Sequence, residues 1–375
     1  MKRTILTYLF AFYCIATIAQ VKVVFKIDSY HAVKDKPAMY LAGDFNGWNP
    51  ADNAWKMQGS SSGPVLIKNM LAGKISFKVT RGNWDKVECD STGKAIVNRE
   101  YNIVHDTTIV LNVAAWQDYA PAQEVKRTAS ANVHIISEKF DMPQLGRQRR
   151  IWIYLPADYE TSEKKYPVLY MNDGQNLFDE ATGNFGEWSV DETLDKLPVK
   201  KQCIVVGIDN GGNERLAEYS PYPSKYAKEA QGDKYIEFLV NTLKPYIDAH
   251  YRTKKDARHT AIAGSSMGGL ISFYAILKHP EIFGKAGVFS PAFWINPEIF
   301  QYAQQTSLNK TSAFYFTCGD QEGSTMTSDM QKIYDIIKPK SKTAAQSPVV
   351  VLKGERHNEK QWRTSFPAFY EWLSW

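Results

Sequence analysis

The sequence has 375 residues, of which 44% are hydrophobic and 23% are charged, and its formal net charge is +5 at pH 7. This composition is ordinary for a globular protein. The length fits two domains, or one large domain with a small appendage, and either can bury a sizeable core. The basic residues are scattered, with only short clusters such as 147–150, so the charge pattern excludes the electrostatic footprint of a nucleic-acid-binding protein.

The first residues have the pattern of an export signal. A basic start is followed by an apolar run from Ile5 to Ile18 and then by Ala19, a small residue suited to a cleavage site. This pattern predicts a signal peptide over residues 1–19, cleaved after Ala19, and a secreted or periplasmic protein. The alternative is an uncleaved anchor helix, but the run is shorter than the ~20 residues that a membrane span needs. We expect no membrane span once the signal is removed.

The next part of the chain, residues 20–115, has the pattern of an all-β domain. Apolar and polar residues alternate in several short segments, which turns rich in Gly, Asn and Pro separate. The pattern predicts a small sandwich of the immunoglobulin-like type. Its predicted strands are 21–27, 38–42, 75–79 and 107–113. Residues 116–130 have no pattern of buried positions and are predicted to form a linker.

The character of the sequence changes at about residue 131. Nearly continuous apolar segments, typical of parallel strands buried on both faces, alternate with helical segments. This alternation predicts one doubly wound α/β domain over residues 131–375, with a mostly parallel sheet. The predicted strands are 150–155, 166–171, 203–208, 260–263, 313–317 and 348–352, and the predicted helices are 235–249, 268–278, 328–337 and 361–373.

One segment of this domain carries a chemical motif. Residues 264–268, Gly-Ser-Ser-Met-Gly, match the G-x-S-x-G nucleophile elbow, and a strand and a helical run flank them as the motif requires. The elbow holds its serine on a strained turn, so we expect side chains at Gly264 and Gly268 to collide with neighbouring backbone. The motif predicts an α/β-hydrolase fold with Ser266 as nucleophile. Ser265 falls at the wrong place in the motif.

A serine hydroxyl needs an adjacent base, usually a histidine, to become a good nucleophile. In this fold the acid and then the histidine follow the serine in the chain. Of the seven histidines, only His357 follows a later predicted strand, in the loop after 348–352. That loop lies at a carboxyl end of the sheet, where active sites of open α/β sheets gather. The spacing therefore predicts His357 as the base.

The acid that orients the histidine should follow the strand 313–317. Two carboxylates, Asp320 and Glu322, stand in the loop after that strand. One of them would hold the imidazole tautomer and stabilise its positive form. The residues alone leave this choice open.

Acyl chemistry also needs an oxyanion hole, usually two backbone N–H groups. One is predicted from Met267, directly after the nucleophile, because free N–H groups point outward at a helix N-terminus. The other is predicted from the loop after the strand that ends at Met171. In that loop we expect the N–H of Gln175, with Gly174 as the alternative, because a glycine allows close backbone approach.

The sequence has no recognisable metal or cofactor motif. It lacks paired cysteine spacing, H-E-x-x-H, an Asp-rich calcium loop and a phosphate-binding glycine loop, so we expect no metal and no cofactor. The cysteines after the predicted signal are Cys89, Cys203 and Cys318. Their odd number and apolar surroundings predict buried, unpaired thiols rather than a disulfide framework.

Several blocks of residues resemble one known family. Residues 173–179, 205–210 and 218–221, the elbow and 357–362 are similar, in this order, to the esterase D-like family. That family includes carbohydrate esterase family 1, with feruloyl and acetylxylan esterases, and enterochelin esterases. The resemblance covers about 145–375 and implies a serine esterase. The family carries its acid in a Gly-x-x-Asp/Glu pattern, which implies Glu322, with Asp320 as the alternative.

The N-terminal part has its own resemblance. Residues 43–48 and 78–84 are similar to segments of family-20 and family-48 carbohydrate-binding modules, which bind starch-like glucans. Such modules stack sugar rings on exposed aromatic side chains. The resemblance implies Trp48 and Trp84 as candidate substrate-binding residues, and the alternative is that they belong to the core. A rigid lid or spacer that shapes the cleft is the competing role for this domain.

Together these features predict a secreted serine esterase that hydrolyses feruloyl or acetyl esters on plant polysaccharide or oligosaccharide. Its partner would be an ester-bearing carbohydrate, with no nucleic acid. The alternatives are a siderophore esterase of the enterochelin type, a glutathione-thioester hydrolase, which export disfavours, and a non-catalytic glycan-binding protein on a hydrolase scaffold. The complete set of Ser266, an acid and His357 disfavours the last.

Overall fold

The computed structural model describes residues 20–33, 38–61, 63–119, 127–183 and 185–375. The predicted signal peptide, 1–19, lies outside these ranges, as do residues 120–126 of the predicted linker. We call 20–119 the β region and 127–375 the α/β region. Their separate identity as domains, with the predicted boundaries, stays a prediction.

The β region consists of short strands in two main sheets. One sheet has the order β3-β4-β1-β8, in which β1 pairs antiparallel with β4 and parallel with β8, and the other has the order β2-β5-β7. A short pair of strands, β6-β9, completes the β region. The strands are β1 Gln20–Tyr30, β2 Tyr40–Gly43, β3 Gln58–Ser60, β4 Gly63–Leu71, β5 Gly73–Thr80, β6 Glu88–Cys89, β7 Arg99–Ile103, β8 Thr107–Val113 and β9 Ala115–Trp116.

The two main sheets share one apolar core. Alternate residues of β1 and β8 point inward, so Phe25 of β1 and Leu111 of β8 pack in the same cluster as Leu41 of β2 and Phe77 of β5. This is the expected packing of a two-sheet sandwich. The all-β character agrees with the sequence pattern, and an immunoglobulin-like topology stays a prediction.

The predicted linker starts at Trp116, which belongs to β9 and is fully buried in the core of the β region. Its indole N–H donates to the backbone oxygen of His31 at 3.0 Å. A large aromatic ring with a satisfied N–H stabilises this core far more than it would an exposed connection. At the other end, Thr128 and Ser130 donate backbone hydrogen bonds to Asp179 and Asp191 of the α/β region.

The α/β region is built on an eight-stranded sheet with the order β10-β11-β13-β12-β14-β15-β16-β17. The first two strands run antiparallel to their neighbours, and all strands from β13 to β17 in this order are parallel. The strands are β10 Val133–Met142, β11 Arg147–Tyr154, β12 Val168–Asn172, β13 Ile204–Ile208, β14 Thr260–Ser265, β15 Lys285–Phe289, β16 Ala313–Gly319 and β17 Val349–Leu352.

Helices cover both faces of this sheet. They are α1 Val190–Asp195, α2 Arg215–Glu218, α3 Gly232–Phe238, α4 Lys244–His250, α5 Met267–Lys278, α6 Glu298–Gln305, α7 Met326–Ile337, α8 Lys342–Ala345 and α9 Glu359–Leu373. Helices α1 and α9 pack in the apolar cluster on one face, and α3 to α8 pack in the cluster on the other. This is the predicted α/β class with a mostly parallel sheet. In the described part of the chain, no helix combines the length and apolarity needed to cross a membrane.

Candidate active site

Ser266 lies in the turn between β14 and α5. Its backbone has φ +57° and ψ −117°, in the left-handed half of the map that residues with a side chain rarely adopt. Its backbone N–H donates to the oxygen of Phe289 on the neighbouring strand at 2.9 Å, which anchors the turn to the sheet. The strain therefore lifts the hydroxyl away from the strand ends, where the side chain lines a cleft.

The two glycines of the elbow are required for different reasons. A Cβ added to Gly264 would lie 2.8 Å from the carbonyl carbon of Gly268, which is the predicted collision with backbone. At Gly268 the prediction of a backbone collision is wrong. An added Cβ there would meet side chains, at 3.0 Å from Oδ2 of Asp173 and 3.3 Å from Cβ of Asn172. The helix start is thus packed against the turn after β12.

His357 and Glu322 are brought together by two loops at the carboxyl end of the sheet. Glu322 follows β16, and His357 lies between β17 and α9. Nδ1 of His357 is 2.8 Å from Oε2 of Glu322, whose side chain is fully buried. A proton on Nδ1 leaves Nε2 as the proton acceptor. Among the described residues that line the cleft with Ser266, His357 is the only histidine.

Asp320, the alternative acid, points elsewhere. Its Oδ1 accepts hydrogen bonds from the backbone N–H of Gly354 at 2.7 Å and from the side-chain amide of Gln321 at 3.1 Å. These contacts tie the loop after β16 to the loop that carries His357. The side chain is exposed, and the carboxylate that contacts the imidazole is that of Glu322.

The second oxygen of Glu322 is also held in place. Oε1 accepts from the hydroxyl of Ser290 at 2.9 Å and from the backbone N–H of Gly319. The Ser290 hydroxyl in turn accepts from the indole N–H of Trp362 at 2.9 Å, and the Trp362 ring packs edge-on against the His357 ring with 5.1 Å between centroids. Sequence reasoning missed Ser290, which no motif marks, and gave no role to Trp362, the last residue of the block 357–362.

The predicted oxyanion-hole residues lie on two sides of the elbow. Met267 is the first residue of α5, and Gln175 lies in the short turn Gly174–Asn176 after β12. Both line the cleft that Ser266 lines, whereas Gly174 is buried outside its wall. The Gln175 side chain accepts from the backbone N–H of Asn210 at 3.1 Å, which fixes the turn.

An ion pair clamps that turn to the elbow. The guanidinium of Arg215 donates to both oxygens of Asp173, at 2.6 and 2.8 Å, and also reaches the backbone oxygen of Ser265 at 3.4 Å. Asp173 has φ +60° and directly precedes the turn with Gln175. A bidentate pair fixes orientation as well as charge. Sequence reasoning missed Arg215, which comes from α2.

The cleft lies between the two regions and has a volume of about 1810 Å³. Trp48 and Trp84 of the β region line it together with Phe185 of the α/β region. The two tryptophan rings lie 6.4 Å apart, and Trp84 packs edge-on against Phe185 with 5.8 Å between centroids. Both tryptophans are half-buried, so they belong to the cleft wall and not to the core.

Comparison with known proteins identifies the family of the chain. The model of the family described as "Putative esterase" matches residues 142–373, more than half of the chain. The protein belongs to this esterase family. It is a carboxylic ester hydrolase, as family membership and esterase relatives show.

Three curated relatives illustrate the range of the family. The uncharacterized protein YbbA of Bacillus subtilis is 26% identical to this esterase over 238 residues, 60% of this chain and 92% of its own. An endo-1,4-beta-xylanase/feruloyl esterase of Xylanibacter ruminicola is 22% identical over 224 residues, 58% of this chain and 28% of its own. The iron(III) enterobactin esterase of Dickeya dadantii is 27% identical over 190 residues, 48% of this chain and 40% of its own.

One solved structure is similar over nearly the whole esterase. The enterobactin esterase FES of Shigella flexneri, crystallised in the presence of enterobactin, has a TM-score of 0.52 and 15% identity. The match covers 94% of this chain and 92% of that chain, so it includes the β region as well as the α/β region. This likeness shows a shared fold.

Three charged side chains that line the esterase cleft have shifted pKa values. Desolvation lowers the pKa of Lys78 to about 8, although the charges of Glu88 and Glu359 oppose it. Desolvation also raises the pKa of Glu359 to about 7 and that of Asp44 to about 6. All three side chains line the cleft, so part of its charge changes near neutral pH.

The described part of the esterase contains no group of three or more His, Cys, Asp or Glu side chains that could hold a metal ion. The three cysteines among the described residues, Cys89, Cys203 and Cys318, are buried and unpaired. Burial raises the pKa of the Cys203 thiol to about 12. The prediction of buried, unpaired thiols is therefore confirmed for these three residues.

Proposed function

We propose that the protein is a serine esterase that hydrolyses feruloyl or acetyl esters on plant polysaccharide or oligosaccharide. The observation that supports it best is the 2.8 Å contact between His357 and Glu322 at the cleft that Ser266 lines. Ser266 attacks the ester carbonyl while His357 takes its proton, and Glu322 stabilises the imidazolium. The N–H groups of Met267 and Gln175 bind the oxyanion.

The acyl-enzyme then completes the cycle. His357 returns its proton to the departing alcohol oxygen, and the alcohol leaves. A water molecule attacks the Ser266 ester with His357 again as base, and the acid is released as the serine regains its proton. These reaction steps need no further group to supply electrons or charge.

Three observations support a carbohydrate substrate. Trp48 and Trp84 form a wall of the cleft, where aromatic faces suit the apolar C–H faces of sugar rings. A relative is named as an endo-1,4-beta-xylanase/feruloyl esterase. The N-terminal resemblance to glucan-binding modules and the predicted signal peptide favour a secreted or periplasmic enzyme that meets polysaccharide.

The second candidate substrate is a siderophore ester of the enterobactin type. A relative is named as an iron(III) enterobactin esterase, and the fold of the Shigella flexneri enzyme spans both regions. The same nucleophile, base and acid would serve this reaction. The two candidate reactions would differ only in which residues of the cleft contact the substrate.

A substrate panel tests the proposal. The wild type and Ser266→Ala are assayed on p-nitrophenyl acetate, and then on methyl ferulate, acetylated xylan and enterobactin. We expect Ser266→Ala to abolish all activity, whereas Ser265→Ala, the neighbouring serine of the motif, retains most of it. An inactive wild type would favour the glycan-binding protein on a hydrolase scaffold. Hydrolysis of enterobactin alone would favour the second candidate.

A further inference from the structure

One ion pair joins the β region to the loop that carries His357. Nη1 of Arg356, the residue directly before His357, lies 2.6 Å from Oε2 of Glu100, which belongs to β7. Both charged side chains line the cleft that Ser266 lines. Among the described residues, this is the only ion pair of Arg356. The neighbour of the proposed base is therefore held by a side chain of the β region.

The packing of β7 directs Glu100 toward the cleft. Tyr101 packs against the core of the β region and Ile103 is buried in it, so alternation along the strand leaves Glu100 on the opposite face. Its side chain is 20% exposed, and Nζ of Lys74 on β5 lies 3.4 Å from the same Oε2. The β region thus fixes the carboxylate that Arg356 contacts.

The α/β region holds the loop of His357 at other points. Two contacts with the loop after β16 fix its first part, where the backbone N–H of Gly354 donates at 2.7 Å and the backbone oxygen of Glu355 accepts at 3.0 Å. In the described part of the chain, no hydrogen bond or ion pair joins the Arg356 side chain to the α/β region. Glu100 therefore anchors the one side chain of this loop, next to His357, that the α/β region leaves without such a contact.

We propose that Glu100 is a positioning residue for His357 and acts through Arg356. The ion pair restrains the loop at the residue before His357, which keeps the imidazole in place for proton transfer from Ser266. This inference rests on the proposed esterase function, and it adds that the β region takes part in catalysis. A β region that only binds sugar would not need this contact.

The expected contribution of the pair is small, because the Arg356 side chain is 54% exposed. Ion pairs open to solvent hold their partners weakly, and dissolved salt screens them. Loss of the pair should therefore lower kcat only about threefold. High salt should produce the same loss in the wild type, since it weakens the same interaction.

Substitution of both partners tests the proposal, with p-nitrophenyl acetate as substrate. Glu100→Gln and Arg356→Gln each break the ion pair, the double variant removes both charges, and Arg356→Lys keeps the positive charge. The control is Asp28→Asn, because Asp28 forms a 3.6 Å ion pair with Lys26 within the β region and neither residue lines the cleft. Steady-state kcat and KM are measured at low salt and at about 1 M NaCl, and the melting temperature of each variant is recorded.

We expect each single Gln variant to lose about threefold in kcat, with little change in KM or melting temperature. The double variant should lose no more than either single variant, because the same interaction is broken in all three. Arg356→Lys should retain most of the wild-type kcat, and Asp28→Asn should retain all of it. In high salt the kcat of the wild type should fall to that of the Gln variants.

An unchanged kcat in both single Gln variants would overturn the proposal, and so would losses that multiply in the double variant. A lower melting temperature with unchanged kcat would show that the pair only ties the two regions together. In each of these cases, hydrolysis of p-nitrophenyl acetate by the wild type would leave the esterase function intact. A wild type inactive on every ester would contradict the proposed function itself and this inference with it.

Discussion

The imidazole of His357 contacts one oxygen of Glu322 at 2.8 Å, while Ser290 holds the other oxygen at 2.9 Å. The carboxylate, whose side chain is fully buried, is therefore fixed from both sides. In such an arrangement the acid can orient one imidazole tautomer and stabilise its charged form without reorganising. The roles of these residues can be separated by substitution.

Glu322→Gln should lower kcat by roughly 10³–10⁴-fold, the scale expected when an amide replaces the orienting acid and favours the wrong tautomer. Steady-state kinetics on p-nitrophenyl acetate measure the loss. Asp320→Asn is the matched control, because Asp320 contacts Gly354 and not the imidazole. A larger loss in Asp320→Asn than in Glu322→Gln would show that the wrong acid has been chosen.

Ser290→Ala should lower kcat by about tenfold, because Glu322 loses one hydrogen bond that orients it. Trp362→Phe removes the N–H that donates to Ser290 and should act in the same direction. Because the two contacts form one chain, the double variant should lose much less than the product of the two single losses. Fully multiplicative losses would mean that the residues act independently of each other.

Much of the fold could be predicted from periodicity, but one central strand could not. The sequence pattern did not indicate β15, because its central residues, Ala286 and Gly287, do not favour strands. Gly287 is nevertheless required, since an added Cβ would lie 2.6 Å from the Phe369 ring, which comes from α9. Packing between segments distant in the chain decides this strand, and local propensity does not report it.

The same limit applies to the site. A local motif identified Ser266, and chain order identified His357 as its candidate partner. Ser290, after β15, and Arg215, on α2, belong to no motif, so only the folded sheet brings them to the site. The choice between Asp320 and Glu322 depended on side-chain directions in one loop, which spacing does not specify.

Trp84→Ala should raise KM for a feruloylated oligosaccharide about tenfold, because stacking on Trp84 against Phe185 is lost from the cleft wall. p-Nitrophenyl acetate is too small to reach this wall, so kcat on this substrate reports any damage to the catalytic groups. Trp116→Ala is a useful contrast, since the loss of this core side chain should lower the melting temperature. An unchanged KM in Trp84→Ala would show that Trp84 does not bind the substrate.

Glu187→Gln should raise the melting temperature at pH 8 and have little effect at pH 5. Burial, helped by the charge of Glu192, raises the pKa of Glu187 from 4.5 to about 7. Folding therefore takes up a proton between these values, so the unfolding free energy falls as the pH rises through this window. Glutamine removes that dependence. Glu160→Gln, an exposed glutamate that is not among the charges acting on Glu187, should leave the pH dependence of the melting temperature as in the wild type.

Arg215→Lys should lower kcat roughly 10²-fold with little change in melting temperature. The lysine keeps the charge beside Asp173 but loses the planar fork that bonds both carboxylate oxygens and reaches the backbone of Ser265. The turn with Gln175 would then move relative to Ser266, and loss of one oxyanion donor costs on the order of 10²–10³ in rate. A purely structural clamp would instead lower stability and leave kcat intact. The decisive comparison is burst kinetics, where a misplaced donor should slow acylation and deacylation alike, because both steps pass through an oxyanion.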